Sequence, residues 1–102
     1  MKNTKPSKIR IIPYPDGRYY RARYLYLAAY LYAHGLELVH VEKESPEKYL
    51  FVFRDAVGRE ELAHRFEYGP EAPVDARNYA AALEELKFQQ EQADLESQSF
   101  KL

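Results

Sequence analysis

The chain has 102 residues, 46% of them hydrophobic, with a net charge of -1, ten tyrosines and no cysteine. That length allows one domain around one core. Without a thiol there are no disulfides, thiolate metal sites or cysteine nucleophiles, and a reducing compartment is favoured.

The charge is unevenly laid out. Residues 1–23 hold seven basic side chains (Lys2, Lys5, Lys8, Arg10, Arg18, Arg21, Arg23) against Asp16 alone, a balance of +6, so the remainder carries -7. A basic arm of this kind either binds phosphate backbones or folds back on its own acidic surface. No apolar run follows the charged start, which predicts no secretory signal and a cytoplasmic location.

In chain order, Lys8 to Ile12 is a short β-prone run. Pro13-Tyr14-Pro15-Asp16-Gly17 is a turn, since proline presets one backbone angle and glycine accepts a positive one. Arg18 to Arg23 then returns as a second strand, giving an expected N-terminal hairpin over 8–23 with Pro13 confining it to an edge. Tyr24 to Ala33 carries no formal charge. Ala28-Ala29 breaks its alternation, and Tyr24, Leu27, Ala28 and Leu31 share one helical face, so a buried helix is expected over 24–34. Gly35 closes it. A bilayer span needs about 20 apolar residues, so this helix predicts no membrane crossing.

After Gly35 the period becomes two. Leu36 to Glu42 and Tyr49 to Phe53 read as strands joined by a polar turn, a hairpin over 36–54. Leu50 and Val52 on one face and Phe51 and Phe53 on the other predict that the second strand is central. Asp55 is the expected cap of a helix over 57–68, in which Leu62 and Phe66 face inward. Gly69-Pro70 ends it. Val74-Asp75 signals the start of a last helix over 75–90, with Ala76, Tyr79, Ala80, Leu83 and Leu86 as its stripe and Val74 as a staple on Tyr79. Residues 91–102 read as a polar tail, frayed or disordered. The sum is a small single α+β domain over 1–90, with an antiparallel sheet packed on the apolar helix and two further helices.

Leu27-Ala28-Ala29-Tyr30-Leu31 with Gly35, the Phe51-Val52-Phe53 strand, Tyr68-Gly69, and Val74-Asp75 with Tyr79, Leu83 and Leu86-Lys87 resemble the family called domain of unknown function 5659, over roughly residues 20–90. The resemblance implies a fold and a setting in bacteria, phages and other mobile elements. It implies no reaction. The family tends to place a threonine and an aspartate before the apolar helix, where they would cap its free amides, while this chain has Ala22-Arg23-Tyr24, so either the helix begins upstream or Arg21 and Arg23 occupy an otherwise acidic entry.

Catalytic patterns are weak. His34, His40 and His64 invite a metal with Glu37, Glu42 or Glu60, but no pair sits four apart on one helix, and packing or helix-end roles are the ordinary reading. The serines lie in tails or a turn, and no glycine-rich phosphate loop is present. No cofactor and no metal site are expected, and a small hydrolytic or metal-dependent enzyme is the minor alternative. The expected function is a non-enzymatic accessory protein binding a macromolecule, with Lys8, Arg10, Arg18, Tyr19, Tyr20, Arg21 and Arg23 as the candidate surface. Cations beside aromatic rings suit single-stranded nucleic acid. The same tyrosines suit a host or phage protein, a homodimer contact, or the ordinary boundary between core and solvent.

Overall fold

The computed structural model describes residues 9–99. The strands Ile12–Pro13 (β1), Tyr19–Ala22 (β2), Leu38–Ser45 (β3), Lys48–Arg54 (β4) and Ala56–Val57 (β5) accompany the helices Leu25–Ala33 (α1), Arg59–Tyr68 (α2) and Ala76–Ser99 (α3). Both sheets are antiparallel, and the class is α+β as the sequence predicts.

The uncharged segment is a helix, and Leu27, Ala28, Ala29, Tyr30 and Leu31 are all buried in it. It starts one residue later than expected. Tyr24 is the extended residue before it, with no side-chain cap and no acidic residue in the first turn. Its far end is closed by a two-bond motif: Gly35 N–H donates to the Tyr32 carbonyl at 3.0 Å and Leu36 N–H to the Leu31 carbonyl at 3.2 Å. Gly35 has a φ of +106°, the left-handed position that a side chain would strain.

β4 is central, in the order β2-β4-β3. The alternation of register puts Tyr20, Ala22, Leu38, Val41, Phe51 and Phe53 on the face covered by the helices. There they join Leu27 to Leu31, Leu62, Ala82 and Leu86 in one core cluster. Each fully buried Leu or Phe of this set contributes about 2 kcal/mol of transfer free energy.

The expected N-terminal hairpin over 8–23 does not form. β1 pairs with β5 and β2 with β4, so the two N-terminal strands lie in line along the 48–57 stretch instead of beside one another. The physical reason is that β4, buried on both faces, sits inside the sheet and takes β2 along one edge, β1 pairs with β5 just beyond it, and Pro13 and Pro15 offer no amide for mutual pairing. The Pro13 to Arg18 turn bulges between them. It is pinned by Tyr14 N–H on the Asp55 carbonyl at 3.2 Å and by Asp55 N–H on the Arg18 carbonyl at 2.9 Å.

Asp55 does not cap the second helix, which begins at Arg59 instead of 57 because Ala56 and Val57 pair with β1. Gly58 occupies the cap with a φ of +96°, and a Cβ there would meet the Arg10 carbonyl oxygen at 2.7 Å. Asp55 is 5% exposed and accepts from Ala56 N–H at 2.8 Å and from Arg59 Nε at 3.0 Å and Nη2 at 3.2 Å. Burial alone pushes its carboxyl up, but the Arg59 guanidinium and the Ala56 amide outweigh that and hold it below the ordinary value.

Asp75 does cap α3, accepting Asn78 N–H at 2.9 Å. The helix then passes the expected end at 90 and runs to Ser99, so most of the predicted tail is helical. Two contacts explain the extension. Ala93 is buried, and the Asp94 carboxylate accepts both Tyr49 OH and Lys43 Nζ at 2.7 Å, fastening the helix to β3 and β4. Residues 100–102 lie outside the described residues. No described helix is long and apolar enough to cross a membrane.

Candidate interaction face

The sheet has a second face. Tyr19, Arg21, His40, Glu42, Leu50, Val52 and Arg54 alternate onto it by register. Val52 is 1% exposed and stands outside the main core cluster, flanked across the sheet by Arg21 and His40, whose side chains are long enough to shield it.

Those side chains form an ion-pair lattice. Arg21 Nε lies 3.5 Å from Glu42 Oε1, and Arg23 Nη1 donates to Glu44 Oε1 at 2.7 Å. Arg54 Nε is 3.5 Å from Glu37 Oε1, and its guanidinium sits 5.8 Å over the Tyr19 ring. His40 Nε2 lies 2.9 Å from Glu42 Oε2, and because a carboxylate only accepts, that nitrogen carries the proton. The His40 bond, together with Arg21, outweighs the burial penalty and holds the Glu42 carboxyl below its ordinary value. Three guanidinium groups thus meet three carboxylates, and the face carries no surplus of positive charge for a phosphate chain.

The sequence-predicted surface is only partly assembled. Arg18 turns back on Asp16, donating from Nε at 3.1 Å and Nη2 at 2.8 Å while covering the Tyr14 ring at 4.2 Å. That hydrogen bond lowers the Asp16 pKa and raises that of Arg18. Tyr20 packs inward beneath the Arg59 guanidinium, 4.0 Å from its ring centre. Tyr19, Arg21 and Arg23 do share the open face. Arg10 is exposed beside β5, and Lys8 lies outside the described residues.

Glu44 and Arg54 were not among the sequence candidates, and His40, Glu37 and Glu42 were weighed there only as metal ligands, not as part of this surface. The alternation His40-x-Glu42-x-Glu44 was visible, but its alignment with Arg21 and Arg23 needed the β2-β4-β3 order. Beside the lattice, Tyr24 and Tyr26 at the start of α1 are 66% and 61% exposed. A cavity of about 310 Å³ opens next to them, with Leu25 and Phe51 as apolar walls and Arg23, Glu44 and Lys48 at its polar rim.

The histidines have separate neighbours. His34 Nε2 donates to the Pro73 carbonyl at 2.9 Å, His40 meets Glu42, and the His64 ring lies 5.3 Å from that of Tyr68. No group of three His, Asp or Glu side chains able to hold a metal occurs among the described residues.

The model of the family described as a domain of unknown function (DUF5659) matches residues 17–89. No curated protein and no solved structure matches the chain. The matched span runs from the turn before β2 into α3, and so includes the whole three-stranded sheet and its lattice.

Proposed function

We propose, from the premise that the chain belongs to the DUF5659 family, that it is a non-enzymatic accessory module acting by contact with another protein. The contact surface is the open sheet face together with the Tyr24 and Tyr26 shoulder. One observation carries this reading: Arg21, Arg23 and Arg54 are each within ion-pair distance of a carboxylate of the same chain, while Tyr19, Tyr24 and Tyr26 stand exposed around them. A charge-balanced surface rich in tyrosine and arginine has the make-up of a protein contact, whereas nucleic acid requires net positive charge along a track. The phage or mobile-element setting belongs to the same proposal and rests on the family resemblance alone.

Affinity capture from the source organism, with and without nuclease, tests it. The reading expects a protein retained after nuclease treatment and lost when Tyr24 and Tyr26 are changed to glutamate. A complex indifferent to both tyrosines removes the reading, and capture abolished by nuclease removes it in favour of nucleic acid.

A further inference from the structure

A different surface, the outer side of α3, answers to a second copy of this chain, and this stands apart from the function proposed above. Tyr79, Ala82, Leu83, Leu86 and Ala93 pack inward, so at about 3.6 residues per turn Arg77, Ala81, Glu84, Phe88, Glu91 and Leu95 form the opposite stripe. Two members of that stripe are large apolar groups left in water: Phe88 is 50% and Leu95 58% exposed. Two turns toward the start of the same helix is a hollow of about 420 Å³ between α1 and α3, floored by Ala33, Ala81 and Ala82 and edged by Tyr32, Asn78 and Glu85, whose carboxylate accepts Gln89 Nε2 at 2.8 Å. The knob and the hollow are seven residues, about 10 Å, apart along the axis.

From this spacing we infer that two copies pair through antiparallel α3 helices, each Phe88 ring entering the alanine-floored hollow of the other. A two-fold interface needs each feature to find its complement on an identical surface, and the charges meet that condition. Setting Phe88 opposite Ala81 of the second copy brings Lys87 beside Glu84 and Arg77 beside Glu91, each twice. No ion pair is formed by Arg77, Glu84, Lys87 or Glu91 within one chain among the described residues, in contrast to the sheet face, where the cations are already matched. The two Glu84 groups near the axis are each offset by the other copy's Lys87. Leu95 falls beside the start of the other α3, near Val74.

Sedimentation equilibrium of the full chain over a wide concentration range tests the pairing. Wild type is expected to approach twice 12.0 kDa, and Phe88→Glu to raise the dissociation constant about thirtyfold or more, as for a buried aromatic anchor. Ala81→Trp fills the hollow without changing charge and has the same expected outcome, with circular dichroism confirming that both variants keep the fold. Arg77→Glu and Glu91→Arg should each fail to self-associate, yet form a heterodimer when mixed, because both cross-contacts are then restored. A monomer throughout overturns the inference. So does a dimer untouched by Phe88→Glu and Ala81→Trp, or singles that do not associate on mixing.

Discussion

The open sheet face and the outer face of α3 carry similar numbers of charged groups and dispose of them in opposite ways. On the sheet, Arg21, Arg23 and Arg54 are matched to Glu42, Glu44 and Glu37 within the chain, on the face that holds the buried Val52. On α3, Arg77, Glu84, Lys87 and Glu91 stand in alternating sign around Phe88 and Leu95 without an ion pair among the described residues. A strand pair sets side chains of neighbouring strands about 5 Å apart and invites internal matching. Helix neighbours three and four apart can pair as well, as Arg65 and Glu61 do, but Glu84, Lys87 and Glu91 at that spacing form no ion pair among the described residues and stay open to a partner's charges. Charge count alone therefore does not identify a binding surface; the positions of the counter-charges do.

The largest effect that can sharpen this contrast is beneath the lattice. Val52→Asp places a carboxylate in an apolar slot and should cost about 4 kcal/mol in urea unfolding, whereas Phe88→Asp on the half-exposed face should cost under about 1 kcal/mol. Equal costs would mean that the lattice does not seal the sheet. Next is Asp55→Ala, which strands Arg59 between Tyr20 and the sheet end; about 3 kcal/mol is expected for breaking this nearly buried pair.

The same residue sets an acid limb. Asp55 has a folded pKa below its ordinary value of 3.8, so an unfolded chain takes up its proton first as pH falls. Its contribution is complete above the unfolded value and disappears as pH drops through the folded one. Asp55→Asn should flatten the stability profile below about pH 4. An unchanged profile would assign acid sensitivity to other carboxylates.

Smaller again is the effect of Asp94→Ala, because that carboxylate is largely solvated. Its clearer readout is faster hydrogen exchange in residues 91–97, where Tyr49 and Lys43 now hold the helix. The smallest stability change, within about 0.5 kcal/mol, belongs to Glu42→Gln with Glu44→Gln. That variant unmasks Arg21 and Arg23, and it should bind a single-stranded oligonucleotide several-fold better than wild type at low salt.

Much of the fold was legible because the signals were local. The Leu27 to Leu31 run with Gly35, the alternation through β3 and β4, and the Asp75 cap each state their structure within a few residues. The misread parts depended on distant partners. The in-line arrangement of β1 and β2 follows from what β4 and β5 offer, and the extension of α3 past Gln90 from Asp94 finding Tyr49 and Lys43 more than forty residues away. Asp55 looked like a cap because its best partner, Arg59, is indistinguishable in sequence from an exposed helical arginine. The ion pairing of the candidate surface was hidden in the same way: +6 in the first 23 residues was visible, but the pairing of Arg21 and Arg23 with Glu42 and Glu44 across the sheet was not.

The most direct measurement is fluorescence anisotropy of a labelled single-stranded 20-mer titrated with wild-type protein at low salt. The internally balanced sheet face predicts no saturable binding below about 100 µM, the weak end of non-specific affinity. Micromolar binding that weakens steeply with salt and is lost when Arg18, Arg21 and Arg23 are changed together to alanine would contradict the account.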